Sequence, residues 1–452
     1  MKYLVFAIAL IGIPVGAAFC FYCRKLFHFA GLALMLPFLV YESTTINFFS
    51  EEWYRGTARG MEVSLVHLIC AVILLTLFVL NKVSRPFPDK GSIIYLIYFC
   101  WSFFSFWNAD FSEFLGLPWF ELWKMLLMHF IFWTVYSYLE YSRNAEAILN
   151  GLGIVIVVCF VTIVYQHYSG RYQPHGIFPH QNSMAMFMAL AVPIFLSYYL
   201  NGRSDRYDWL VYLFVLACGS ASLVRSYSRG ALLVFPISLA ITTALSFVFN
   251  MRLRLFSRLL PLVLLGILFG SLLLPRVIER FERAPEASKT TRIELNRVAI
   301  NMIREKPLLG IGLNNWGIKV NPPYIYWEGT GRRVAPGRDF ENYKDSIVET
   351  VYLLVGAECG LIGLALMLIW FFYYFAKACI LCKRLAGTEW FFLPAGLVGG
   401  LMAIYFQSML EWVLKQSMNF IELIICFALI AFMDNHWKEL KGLTPHKMEE
   451  AS

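Results

Sequence analysis

Residues 146–167 read EAILNGLGIVIVVCFVTIVYQH, an apolar run whose only acid or base at neutral pH is its first residue. At about 1.5 Å per residue, a helix of that length crosses a hydrocarbon core of about 30 Å. Similar runs recur along the 452-residue chain, which is 59% hydrophobic and 15% charged, with mean hydropathy +0.61. A soluble domain carries about 25% charged residues. The chain therefore reads as an all-α polytopic membrane protein whose helices form one bundle.

Thirteen spans are expected near 3–23, 26–42, 63–81, 92–108, 118–140, 146–167, 182–200, 208–225, 230–250, 259–275, 347–376, 391–411 and 417–433. The count falls to twelve or fewer if the first or second span does not cross. The organisation is then 1–275 as about ten spans, a polar loop over 276–346, further spans over 347–433, and a tail over 434–452. Basic residues sort the loops. One alternate set holds Arg24 and Lys25, then Lys82, Arg85 and Lys90, Arg143, Arg203 and Arg206, then Arg252, Arg254 and Arg258. It continues with Lys377, Lys383 and Arg384, and Lys438, Lys441 and Lys447 in the tail. The positive-inside rule places this set in the cytoplasm. The other set is the Asn108–Pro118 loop with Asp110 and Glu113, the 168–181 loop, the Arg225–Gly230 turn and the 276–346 loop. These face outward, away from the cytoplasm.

The net charge of +8 lies largely in short loops and does not indicate nucleic acid. Of ten cysteines, seven sit in apolar segments and none in the long loop, so a disulfide framework is not expected. Cys379 and Cys382 form a lone CxxC, and a zinc site needs further ligands. The apolar run after Met1-Lys2 has no clean small-x-small cleavage site and reads as a retained helix.

The 276–346 loop is rich in arginine: Arg276, Arg280, Arg283, Arg292, Arg297, Arg304, Arg332, Arg333 and Arg338. Thr291-Arg292-Ile293-Glu294 reads as a capping box opening a helix that stops near Glu305, before Pro307. Ile293, Asn296, Ile300 and Ile303 share one face of it, and Arg297 and Arg304 another. The functional reading is a cap over an outward cavity with arginines on phosphate, because the guanidinium fork matches phosphate oxygens. A solvated helix with surface ion pairs, or arginines on anionic lipid headgroups, is the plainer reading.

Three further groups face outward. Arg171, His175, His180 and Asn182 cluster ahead of the seventh span; the two histidines, five apart across a proline, are no metal motif, and sugar or phosphate hydrogen bonding competes with helix capping. Arg229, with Arg225 beside it, lies in a turn so tight that it sits at the membrane surface, where an unpaired cation is costly. Gly230 is expected to allow close helix packing there. Lys124 either adds charge to the cavity or pairs with Glu121 at i, i+3. Glu349 falls in the first turn of the span from 347, where helix capping and a role as base are both open.

Four motifs occur in order. Gly176-Ile177-Phe178-Pro179-His180-Gln181-Asn182 is followed by Ser228-Arg229-Gly230. Arg292 then precedes Lys306-Pro307-Leu308-Leu309-Gly310-Ile311-Gly312, and Glu349-Thr350-Val351-Tyr352-Leu353 leads to Glu358-Cys359-Gly360-Leu361-Ile362-Gly363. Together they resemble the O-antigen ligase and polymerase superfamily of bacterial membrane glycosyltransferases, over most of 170–365. The resemblance implies a glycan on undecaprenyl diphosphate, arginines on the diphosphate, and a metal-independent transfer to an acceptor hydroxyl without a cofactor. It also implies a His base in the ligases. Here Glu349 stands at the His position and Thr350 at the following Asn, which puts transfer to lipid A–core in question and leaves polymerisation or another acceptor open.

The expected site is therefore Glu349 as base with Arg229 and Arg292 on the leaving diphosphate, and Arg171, His180, Asn182, Arg225 and Lys124 contacting substrate. Its expected partners are the lipid-linked glycan, an acceptor glycan or lipid, and membrane lipids, with a polysaccharide chain-length or export protein as a further candidate. Two alternatives differ in class: a transporter of a small anion or lipid-linked glycan, and a non-catalytic export partner. A transporter predicts an inverted repeat around a central polar site; a transferase predicts an outward site joining Glu349, Arg229 and Arg292.

Overall fold

The computed structural model describes residues 2–109, 116–202, 208–251, 253–282, 286–321, 324–330 and 346–442. Asp110, Glu113, Arg203, Arg206, Arg252, Arg283, Arg332, Arg333, Arg338 and Lys447 lie outside the described residues.

The protein is all-α and polytopic. Its helices are α1 (Lys2–Tyr22), α2 (Arg24–Phe27), α3 (Ala30–Met35), α4 (Tyr41–Thr44), α5 (Leu65–Val79), α6 (Lys90–Phe104), α7 (Leu117–Ser142), α8 (Ala145–Tyr168) and α9 (Gln181–Asn201). They continue with α10 (Asp208–Arg225), α11 (Arg229–Asn250), α12 (Leu253–Glu282), α13 (Glu286–Glu305), α14 (Trp316–Lys319), α15 (Val351–Arg384), α16 (Phe392–Gln407) and α17 (Ser417–Gly442). Among the described residues, six helical stretches are long and apolar enough to cross a membrane: α8, α9, α11, α15, Glu389–Gln407 and α17. Five apolar helical stretches are shorter.

Two expected spans are drawn differently. The stretch 26–42 is not one helix; α2 and α3 are followed by a 3-10 turn, Leu36–Val40, and α4. Pro37 lacks the N–H that a continuous helix would use, and it sits at the start of that turn. The 259–275 span is part of α12, which carries helix past 275 to Glu282.

The buried α9 is the axis of the bundle, packed by α10, α11, α16 and α17. Its closest neighbour is α16, where Gly396 and Gly400 lie one turn apart. A Cβ on Gly396 would be 2.4 Å from the Ile194 Cα, and one on Gly400 would be 2.3 Å from the Leu190 carbonyl oxygen. In lipid, where burial of apolar surface does not drive helix association, such backbone-to-backbone packing holds helices together.

The two loop sets sort to opposite ends of α7, α15 and α17. At the ends Arg143 pairs with Glu439 at 3.4 Å, and Arg384 with Asp434 at 2.7 Å. At the beginnings, Asn108 donates to the Gly310 carbonyl at 2.8 Å, Tyr172 stacks on Tyr227 at 5.9 Å, and Ser417 donates to Glu62 at 2.7 Å. This second end also holds a small antiparallel ribbon, β1 (Ile46–Phe48) with β2 (Met61–Val63), pairing Ile46 with Val63.

Candidate active site

The large loop is clasped to the bundle by backbone. α15 breaks at Gly360, whose φ of 71° is left-handed. The break leaves two carbonyls for the loop: Ala357 accepts from Ile311 N–H at 2.8 Å and Glu358 from Gly312 N–H at 3.0 Å. In return Leu361 N–H donates to Pro307 O at 2.8 Å. A Cβ on Gly360 would sit 2.0 Å from the Leu308 oxygen, and one on Gly310 would sit 2.4 Å from the Glu358 carbonyl carbon. The Pro307–Gly312 and Glu358–Gly360 motifs are thus two halves of one joint.

The loop has its own core. Leu295, Val298, Ala299 and Met302 of α13 bury against Trp316, Trp327, Val348 and Leu354. Of the face picked out from sequence, Ile303 packs against this core while Ile293 and Ile300 are exposed. The apolar stripe had a second solution two residues on, and only α15 decides between them. The expected start is corrected too, since α13 begins at Glu286 and the Thr291 box lies inside it. The stop at Glu305 is as expected.

With α13 laid on α15, Arg292 reaches the start of α15. Its Nη2 lies 2.9 Å from Glu349 Oε2 and 3.7 Å from Glu411 Oε1. Glu349 is not in the first helical turn; Thr350 is the N-cap, and the Val351 N–H donates to the Ser408 carbonyl at 3.0 Å. That bond ties the start of α15 to the turn carrying Glu411, and the two carboxyls share a hydrogen bond. The Glu349 side chain is 33% exposed and that of Glu411 5%, so Glu349 is the one a substrate can touch. Burial raises both. Glu411 is pushed up to about 7, first by burial and then by the Glu349 charge, with Arg292 opposing. Glu349 is raised by burial against the pull of Arg292, the Glu411 hydrogen bond and Arg229. Two adjacent carboxyls hold one proton more easily than none. The deeper burial of Glu411 makes it the better place for that proton.

The other expected residues fall around this pair. Arg229 opens α11 and acts electrostatically on Glu349. The close helix packing expected at Gly230 is not found: a Cβ there would make an ordinary 3.5 Å contact with Leu410. Asn182 donates to Glu411 Oε2 at 2.7 Å, and so holds the second carboxyl. His180 is the N-cap of α9, its Nδ1 accepting from Asn182 N–H at 3.2 Å. Burial, then His175, hold its imidazole below the usual value, which suits an acceptor. Arg171 contacts His175, and Arg225 lies 2.8 Å from His167. Among the described residues these contacts lie apart from the carboxyl pair.

Lys124 takes the pairing course. It lies 2.6 Å from Glu121, in a buried cluster where Lys415 is 3.0 Å from Glu121 and 3.7 Å from Glu358. Lys124 also donates to the carbonyls of Thr57 and Lys415, at 3.0 and 3.2 Å. Thr57 Oγ1 donates to Glu121 at 2.8 Å, and Glu358 Oε1 accepts from Trp316 N–H at 3.3 Å. Two carboxylates and two ammoniums thus join α7, α15, the loop and the Lys415 turn. Sequence reading missed Glu411 and Lys415. The signal was there: the short 411–417 turn, EWVLKQS, stands between two spans on the side already assigned to Glu349.

Residues 212–368 match the family described as O-antigen ligase. The match holds Arg229, Arg292, Glu349 and Glu358 and ends before Glu411, and it supports the superfamily resemblance carried by the motifs. No curated protein matches the chain.

Proposed function

We infer that this chain, as a member of the O-antigen ligase and polymerase superfamily, is a membrane glycosyltransferase of polysaccharide biosynthesis. It moves a glycan from undecaprenyl diphosphate to an acceptor hydroxyl at the outer face of the bacterial inner membrane. The observation that carries this reading is the accessible Glu349 carboxylate, hydrogen-bonded to a buried second carboxyl and flanked by Arg292 and Arg229. In this reading the 276–346 loop and the Glu411 turn are extracytoplasmic and the tail is cytoplasmic. The acceptor oxygen attacks the anomeric carbon, and a new C–O bond forms as the bond to the diphosphate oxygen breaks. The acceptor proton passes to Glu349. The electron pair leaves with the diphosphate, whose charge the guanidiniums of Arg229 and Arg292 stabilise. The arginines take the phosphates, and the transfer is proposed as metal-independent. A transporter reading lacks comparable support, because the carboxyl–arginine group stands at one end of the bundle, between the large loop and the turn carrying Glu411, rather than at mid-span. The test is proteoliposomes holding the full chain and the lipid-linked glycan. Release of undecaprenyl diphosphate with a lengthened or conjugated glycan is expected, and glycan movement across the bilayer without bond cleavage would replace this reading with transport.

Arg229→Ala is expected to weaken donor binding by about tenfold or more, the scale of one charge-assisted contact. Titration with the lipid diphosphate checks it, and unchanged affinity and turnover would remove Arg229 from the site. The pH profile gives a second check. A base acts only when ionised, so activity falls as pH drops through the raised Glu349 value. The acid limb should lie above the ordinary glutamate range near about 4.3. The Glu411 hydrogen bond lowers the Glu349 value. Glu411→Ala removes it and should move that limb upward; a limb at the ordinary position, unmoved in Glu411→Ala, would contradict the pairing.

A further inference from the structure

Away from the carboxyl pair, at the same end of the bundle, lies a cavity of about 1000 Å³ between α1, α4, the ribbon and α5. Its lining includes Ser43, Thr44, Thr45, Ser50, Glu52 and Arg59, with Ala9, Leu65 and Leu68 as its apolar wall. Nothing in the transfer mechanism uses it. The volume is at the top of the range of about 300–1,000 Å³ typical of small-molecule sites, enough for several sugar rings.

Three features fix the ligand chemistry. First, the hydroxyls are oriented. Ser43 and Thr44 donate to the Val40 carbonyl at 3.0 and 2.8 Å, and Thr45 donates to Tyr41 O at 2.7 Å. With their protons turned to backbone, these oxygens keep lone pairs for an incoming hydroxyl. Second, the formal charges in the lining, Glu52 and Arg59, cancel. That suits a polyhydroxyl chain better than an anionic headgroup, which favours clustered bases. Third, an exposed aromatic residue neighbours the lining in sequence. Phe49, in sequence between lining residues Asn47 and Ser50, is 74% exposed and has a left-handed φ of 54°. A bulky residue rarely adopts that conformation, and such outliers collect at binding sites. Its exposed face offers the flat apolar surface on which a sugar ring packs.

One segment joins the cavity to the large loop and to the start of α17. Thr57 and Ala58 N–H donate to Asn314 Oδ1 at 3.1 and 3.3 Å, and Glu62 accepts from Ser417. The chain from 46 to 63 therefore has one side on the large loop and the other on the cavity.

We propose that this groove binds saccharide, holding sugars distal to the reacting one while the linkage is made at Glu349. The groove as a saccharide site stands on its lining; its link to catalysis rests on the transfer reading. The probe is lipid-free oligosaccharide, short and long, cut by mild acid from the source cell's surface polysaccharide. It is titrated against the full chain in nanodiscs. Long oligosaccharide should bind more tightly than short, and Thr44→Trp and Ser50→Trp, which fill the groove, should each weaken the long one by about tenfold. Thr44→Trp at an exposed position tests the groove without disturbing the core. Equal binding of both lengths, or wild-type affinity in both variants, would overturn the proposal. So would native mass spectrometry showing a bound anionic phospholipid that Thr44→Trp displaces. If saccharide binds in this way while the proteoliposomes release no undecaprenyl diphosphate, the groove stands and the transfer reading falls.

Discussion

Glu349→Gln is expected to lower glycan transfer by about a hundred- to ten-thousand-fold, the range for loss of a positioned general base. The amide keeps the shape of the side chain and can still receive a hydrogen bond from Arg292. It cannot take a proton from the acceptor hydroxyl. The site lies at the edge of the fold, at a third of full exposure, so the variant should stay folded. Donor affinity should also hold, because Arg229 and Arg292 are retained. Single-turnover transfer in proteoliposomes, run beside donor binding, separates these effects. Undiminished product would remove Glu349 as the base, and a matching loss of donor binding would make it a binding residue instead. Glu411 cannot substitute readily, being buried and held by Asn182.

The largest stability effect is expected at Glu121. This carboxylate is fully buried and meets Lys124 at 2.6 Å, Lys415 at 3.0 Å and the Thr57 hydroxyl at 2.8 Å. Glu121→Gln leaves two buried ammoniums with only Glu358 nearby, at 3.7 Å from Lys415. Removing one member of a buried ion pair costs about 3–5 kcal/mol, because the other stays buried and charged. The thermal midpoint in detergent should fall accordingly. Adding Lys124→Met to Glu121→Gln removes one of the stranded charges, so the pair of changes should cost less than the sum of the two alone. An unchanged midpoint in Glu121→Gln, or strict additivity, would show that the cluster is hydrated and carries little of the fold.

This cluster also shows what sequence could not decide. The spacing of Glu121 and Lys124 allowed an ion pair or an open cation, and the choice depends on Lys415, which is 291 positions from Lys124 along the chain. The same holds for Asn182. Its place before a helix suggested capping or substrate contact, yet it holds Glu411, 229 positions away. Local pattern describes a helix and its ends; which side chains meet across helices is a property of packing.

Other parts were legible. Apolar runs of bilayer length give an all-α membrane fold, because an unpaired backbone group in hydrocarbon is too costly for any other open structure. Alternation of basic loops separates two sets, and described members of the two lie at opposite ends of α7, α15 and α17. Arg292 and Glu349 could be chosen as partners from charge and motif order, and they stand 2.9 Å apart. Tertiary structure alone decided that α13 buries Leu295 and Met302 rather than Ile293 and Ile300. It alone brought a second carboxyl to Glu349. Hydropathy is summed along a segment and survives without knowledge of neighbours. The protonation of a carboxyl depends on the groups around it, and those arrive from α9, α11, α13, the start of α15 and the Glu411 turn.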